Sequence, residues 1–114
     1  KKRLQGLGHR VHSQDPRRDV LWQLSKSSGL AGPCTDISEL VTDIFTAVKG
    51  KSLPINVDGV IGAIIADMGL PPVVATLVFI LGRVAGLSAH YFEEVTSFPP
   101  MRWIDFQQAV YTGR

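Results

Sequence analysis

Between Ile37 and Val48 the apolar side chains fall at Ile37, Leu40, Val41, Ile44, Phe45 and Val48, spacings of i, i+3, i+4, i+7, i+8 and i+11. That is one face of an α-helix, and the spacing predicts a helix over 36–49. Asp36 with Glu39 resembles a capping box at its start, and Lys49-Gly50 suits its end. Upstream, Asp15-Pro16 joins a favoured N-cap residue to a ring that the first helical position tolerates. A helix should begin there, with Val20, Leu21 and Leu24 facing inward and Gly29 closing it. A third helix, over about 58–68, carries Val60, Ile61, Ile64, Ile65 and Met68 almost all round, which marks it as central. Pro71-Pro72 opens a fourth, running to about Val95 and broken by Phe98-Pro99-Pro100. Its Gly82, Ala85, Gly86 and Ala89 offer small positions to another helix, and a short helix over about 102–110 is expected to follow. No stretch shows the alternation of a strand. The fold class is therefore all-α, four to five helices packed around residues 58–92.

Composition narrows this picture. With 114 residues and 45% apolar content, the chain is long enough for one domain with a core. A net charge of +2 gives no general case for nucleic acid or a membrane surface, and Lys1-Lys2-Arg3 reads as a solvated end. Cys34 is the only cysteine, so no internal disulfide can form. Together with the lack of a signal-peptide pattern, that leads us to expect a reducing, cytoplasmic setting. The longest uncharged stretch, Gly69 to Gly82, is shorter than the roughly 20 residues of a membrane span. It reads as a buried helix.

The chemistry concentrates in two motifs, Gly6-Leu7-Gly8-His9-Arg10-Val11 and Pro54-Ile55-Asn56-Val57-Asp58-Gly59. Each sets a proton-handling residue beside glycine, in the loop before a helix. His9 is either an exposed loop histidine or a hydrogen-bond donor to a substrate oxygen, since glycine permits close approach. Asp58 is either a plain N-cap or a carboxylate presented to a ligand and kept ionised by the helix dipole. His9 and His12 could suggest a metal pair, but with one cysteine, three histidines and no carboxylate in register no metal site is expected. Arg83 stands inside an otherwise apolar helix. It calls for an anion, either Asp67 or another carboxylate of the protein, or a substrate carboxylate. Arg17 is the other cation of interest. Lys49 and Lys51 are surface lysines or a phosphate site. The first motif begins within ten residues of the first residue, which leaves little to support a site, so a piece of a longer protein is expected.

These residues resemble a known family. The first motif with Asp15-Pro16-Arg17 resembles the citrate synthase signature, a glycine-rich loop carrying a catalytic histidine and followed by Asp-Pro-Arg. Asn56-Val57-Asp58 is similar to that family's catalytic aspartate motif, and Leu81-Gly82-Arg83-Val84-Ala85-Gly86 with Ala89-His90 to its arginine-bearing helix. The resemblance implies the small, mobile domain over residues 1–114, with the large domain and its own histidine outside this chain. Synthases of the family carry a bulky residue after the aspartate and then Ser-Gly. Asp58-Gly59-Val60-Ile61-Gly62 instead looks like the citryl-CoA lyase branch. The arginine that synthases place before Tyr-Thr-Gly is also missing, since Phe106-Gln107-Gln108-Ala109-Val110 precedes Tyr111-Thr112-Gly113.

The roles the resemblance implies are as follows. Asp58 removes a proton from the acyl-CoA methyl, or returns it in the lyase direction. His9 donates to the oxaloacetate carbonyl. Arg17, Arg83 and, in place of the missing cation, Arg102 hold substrate carboxylates, while Leu7, Gly8 and Lys51 lie near the CoA nucleotide. Coenzyme A thioester is a substrate, no cofactor is tightly bound, and a homodimer or higher homo-oligomer is implied. Three readings stay open: citryl-CoA lyase-like cleavage, citrate or methylcitrate synthesis, and a non-catalytic acyl-CoA-binding or assembly module.

Overall fold

The computed structural model describes residues 4–108 and residue 110. In chain order the helices are α1 (Pro16–Ser27), α2 (Pro33–Lys49), α3 (Val57–Asp67) and α4 (Val73–Ser97). The described residues hold no strand, only an isolated antiparallel bridge between Leu7 and Ile55. The chain divides into two compact units, Lys1–Leu81 and Gly82–Arg114, with α4 beginning in the first and ending in the second.

In the first unit α3 is the hub, packing on both α1 and α2. Its Val57, Val60 and Ile65 are buried and, with Ile55 from the preceding loop, form the hydrophobic core. Val60 is wholly inaccessible. The α1 start is as the sequence implies: Asp15 accepts the Arg17 N–H at 3.1 Å and Pro16 takes the first turn. Gly29 and Gly50, both at positive φ, end α1 and α2 as expected. Two polar links join α1 to α2, Trp22 Nε1–H to Ser38 Oγ at 2.9 Å and Lys26 Nζ to Glu39 at 2.5 Å.

Several expectations are corrected. α2 begins at Pro33 rather than at Asp36, so Asp36 lies in its first turn and Glu39 pairs with Lys26 instead of closing a capping box. Its N-cap, Gly32, has no side chain to offer, and the cap comes from α3. The Asp67 carboxylate accepts N–H bonds from Gly32, Cys34 and Thr35 at 2.8–2.9 Å and the Thr35 hydroxyl at 2.6 Å. A Cβ on Gly32 would meet Asp67 Oδ1 at 2.9 Å, so the absence of a side chain there makes room for the carboxylate.

The apolar faces are not covered either. Val20 and Leu24 of α1 are exposed, as is the α2 stripe of Ile37, Leu40, Ile44 and Val48. α2 turns Thr35 and Ser38 to the interior instead. α4 buries no residue, against the expectation of a buried helix over 69–82 and a core extending to 92. By length and composition α4 could cross a membrane, with a hydropathy of 1.7 over its most apolar window. Arg83 stands near its middle, where a charge in a bilayer is costly.

In the second unit no helix follows α4 in the described residues. Residues 102–105 are irregular and 106–108 form a turn. Tyr111-Thr112-Gly113 and Lys1-Lys2-Arg3 lie outside the described residues.

Candidate functional site

The two motifs meet as a short backbone ribbon. Gly8 N–H donates to Pro54 O at 2.7 Å and Asn56 N–H donates to Gly6 O at 3.0 Å, on either side of the Leu7–Ile55 bridge. Thr42 Oγ1 of α2 accepts the Ile55 N–H at 3.0 Å and anchors the second strand of the ribbon to the helix behind it. The loop of His9 is thus fixed against the entry to α3, although some fifty residues separate the two in sequence.

Two glycines allow this approach. A Cβ on Gly59 would lie 2.5 Å from Gly6 O and 2.6 Å from Ile55 Cγ1, and one on Gly6 2.7 Å from Gly59 Cα. Gly6 also has a φ of 80°, a conformation that L side chains rarely adopt. Gly59 is therefore the position at which the first loop rests on α3.

His9 accepts two backbone N–H bonds at Nδ1, from Val11 at 3.1 Å and from His12 at 2.9 Å. A nitrogen that accepts carries no hydrogen, so the neutral ring bears its proton on Nε2. That tautomer is a donor pointing away from its own backbone. It is the form needed to hydrogen-bond a carbonyl oxygen. The His9 and His12 rings stand 4.8 Å apart.

Asp58 is not the N-cap. Asn56 is, its Oδ1 accepting from Asp58 N at 3.1 Å and Gly59 N at 3.2 Å. Asp58 sits one residue into α3 with its side chain exposed, at the positive end of the helix dipole. The capping task thus falls on Asn56, and the Asp58 carboxylate is left to face outward. It borders an open cleft of about 660 Å³ lined also by Gly6, Gly59, Gly62, Thr76 and Phe79. His9 is not among the residues that line it.

Arg17 is held by Asp15 through a bidentate pair, Nε to Oδ1 and Nη2 to Oδ2, both at 2.9 Å. The Asp15 carboxylate also accepts the Val57 N–H at 2.9 Å, so one buried side chain serves the starts of α1 and α3. The Arg17 guanidinium beside it holds the Asp15 carboxyl well below the usual carboxylate range, and the Val57 and Arg17 N–H groups add to that. Asp15 in turn raises Arg17, with a smaller contribution from the charge of Asp58, which brings Arg17 and Asp58 within electrostatic reach. About half of the Arg17 side chain remains exposed.

Of the residues assigned to CoA, Leu7 and Gly8 are in the ribbon and Lys51 is exposed just after α2. Gly8 spends both backbone groups internally, its N–H on Pro54 and its C=O on Asn56 Nδ2 at 2.8 Å. The bonding pattern flanks the Leu7–Ile55 pair, so the Leu7 backbone groups point to the outer edge of the ribbon. Arg83 and Arg102 belong to the second unit. Arg83 is exposed on α4, not buried, and Asp67, once its expected partner, is engaged with α2. Arg102 makes a bidentate pair with Glu94, Nε to Oε1 at 2.7 Å and Nη2 to Oε2 at 2.9 Å, and lies 3.9 Å over the Phe98 ring. Sequence reading missed Asn56 and Asp67 as organising residues, and saw Asp15 as the cap of α1 but not as a partner of α3. Asn56 and Asp15 stood within quoted motifs, whereas no local signal marked Asp67.

Among the described residues, then, a helical domain ties a histidine loop to the first turn of an aspartate-bearing helix. The chain belongs to the citrate synthase family: residues 1–103 match its C-terminal domain. It is similar to the glyoxysomal citrate synthase of Cucurbita maxima, 35% identical over 99% of this chain and 23% of that protein. ATP-citrate synthase beta chain protein 1 of Arabidopsis thaliana is 26% identical over 96% of this chain and 21% of that one. Among solved structures, citryl-CoA lyase from Hydrogenobacter thermophilus matches with a TM-score of 0.76 and 37% identity, over 99% of this chain and 45% of that chain. The chain thus spans less than a quarter of the length of these curated relatives.

Proposed function

We propose that the full-length protein makes or breaks the carbon–carbon bond between an acyl-CoA methyl carbon and the keto carbon of oxaloacetate, with citryl-CoA cleavage as its main direction. The observation that carries this reading is the pairing of a His9 tautomer that donates at Nε2 with an outward Asp58, on two segments hydrogen-bonded to each other. In condensation, Asp58 takes a methyl proton, the enolate carbon attacks the keto carbon, and His9 Nε2–H meets the oxygen that gains charge. In cleavage the steps run in reverse. Once the hydroxyl has given its proton to solvent, the alkoxide oxygen, hydrogen-bonded by His9 Nε2–H, re-forms the keto group as the carbon–carbon bond electrons pass to the enolate. A protonated Asp58 then gives its proton to the enolate carbon. Arg17, Arg83 and Arg102 are assigned to the substrate carboxylates. For Arg102 this requires release from Glu94 when substrate binds.

An acyl-CoA methyl is too weak an acid for a carboxylate alone, so the thioester oxygen needs a donor as well. The histidine of the family's large domain is assigned that role, and closure of the two domains excludes water. The Leu7 backbone and Lys51 face the CoA nucleotide, and no tightly bound cofactor is required. The exposed faces of α1, α2 and α4 are read as surfaces against the rest of the polypeptide and a second copy, in a cytoplasmic homodimer.

The lyase direction draws support from Gly59. The family's synthases place a bulky residue there, and in this chain the loop at Gly6 occupies that space. The similarity to curated citrate synthases at 32–35% identity favours synthesis as the second reading. Supplying the full-length protein with citryl-CoA, and separately with acetyl-CoA plus oxaloacetate, decides between them. CoA binding with turnover in neither direction would leave a binding module instead.

A further inference from the structure

Asn56 does more than cap a helix. Its Oδ1 takes the Asp58 and Gly59 N–H groups, and its C=O takes the Val60 N–H at 3.2 Å. Its own N–H goes to Gly6 O, and its Nδ2 donates to Gly8 O at 2.8 Å. Capping needs only the acceptor, which aspartate or serine supplies as well as asparagine. The Nδ2 donor is what only asparagine adds, and it is spent on the residue directly before His9. One planar amide therefore holds the Asp58 backbone at its oxygen and the His9 loop at its nitrogen.

We propose that Asn56 is a positioning residue that sets the distance between the His9 imidazole and the Asp58 carboxylate, a role that rests on the acid–base reading above. The amide group is rigid, so its two ends cannot move independently. The Gly6–Gly59 contact presses the loop against α3 from one side, and the Asn56 side chain fixes it in register along the ribbon. Losing the nitrogen donor frees the loop and puts Gly8 O beside a group that cannot donate.

The test uses the full-length protein with Asn56→Asp. Aspartate keeps the cap acceptor and the shape but removes the donor to Gly8 O. We expect kcat to fall between about 10- and 100-fold, as for an ångström-scale misplacement of a reacting group. KM for the CoA thioester should stay within about twofold, and the thermal midpoint should stay near that of the unaltered protein. Unchanged kcat, or a loss of kcat matched by a collapse of the midpoint, overturns the proposal. If Asn56→Asp does not fold, Asn56→Ser poses the same question, since serine also caps but has no amide nitrogen to place at Gly8 O. Should the unaltered protein turn over neither citryl-CoA nor acetyl-CoA plus oxaloacetate, the acid–base reading fails, and the positioning role is judged by a crystal structure of the serine variant. A shift of Gly8-His9 relative to α3 supports it, and an unmoved loop overturns it.

Discussion

The carboxylate of Asp15 holds three partners: the Arg17 N–H, the Arg17 guanidinium and the Val57 N–H. Removing it leaves a buried N–H at the start of the helix that carries Asp58. Asp15→Ala in the full-length protein should therefore cost at least about 2 kcal/mol, a lost cap plus an orphaned donor. Chemical denaturation measures it. The same carboxyl gives a pH dependence. Folding lowers its pKa from an unfolded value of about 3.9. Its stabilisation is complete above that value and is lost as pH falls below it. The thermal midpoint should drop on moving from about pH 7 to about pH 3, and Asp15→Asn should flatten that drop. At this scale the sequence was a good guide to Asp15, because Asp-Pro is a strong local signal. It left Asp58 open between a cap and a ligand-facing carboxylate, and the cap alternative fails because Asn56, two residues earlier, was an equally good cap and took the task. That loss of a structural duty is what leaves the Asp58 carboxylate turned outward.

At the scale of elements the four helices and most of their ends were legible, whereas the start of α2 was not and the short helix expected over about 102–110 does not form in the described residues. α2 starts three residues early because its capping carboxylate, Asp67, lies more than thirty residues away in sequence. No window on the sequence contains both. Burial opposes a charge on Asp67, but the Thr35 hydroxyl and the Cys34, Thr35 and Gly32 N–H groups outweigh it and hold the carboxyl well below its usual range. The same carboxylate pushes the Cys34 thiol up, which disfavours the thiolate. Asp67→Ala should lower the thermal midpoint and weaken amide-exchange protection in the first turn of α2, with α1 less affected. Hydrogen exchange resolves the two helices. Gly59→Ala tests the loop contact. The added methyl must displace Gly6 O or Ile55. Activity should then fall at least about tenfold, as overpacking shifts the His9 loop. A variant with normal activity would show that the loop yields without consequence.

For the whole molecule, hydrophobic periodicity was read correctly as helix and wrongly as burial. The stripe of Ile37, Leu40, Ile44 and Val48 is real, but among the described residues nothing covers it. Periodicity reports that a face has a partner, not that the partner lies in the same stretch of sequence. The chain spans 21–30% of the length of the curated relatives it matches, and the proposed function assigns such faces to the remainder of a longer polypeptide. The proposed mechanism draws one catalytic histidine from that remainder, so the 114 residues alone should show no turnover with citryl-CoA or with acetyl-CoA and oxaloacetate. A steady-state assay of the isolated chain checks this.

The central claim is that the pair formed by His9 and Asp58 carries the carbon–carbon chemistry. Its most direct test is the rate at which the full-length protein releases acetyl-CoA and oxaloacetate from citryl-CoA, compared with the Asp58→Asn variant. Cleavage by the unaltered protein and a loss of at least about a hundredfold in the variant is the predicted result, the scale of a lost general acid–base group. Cleavage by Asp58→Asn at a near-normal rate would remove Asp58 from the mechanism.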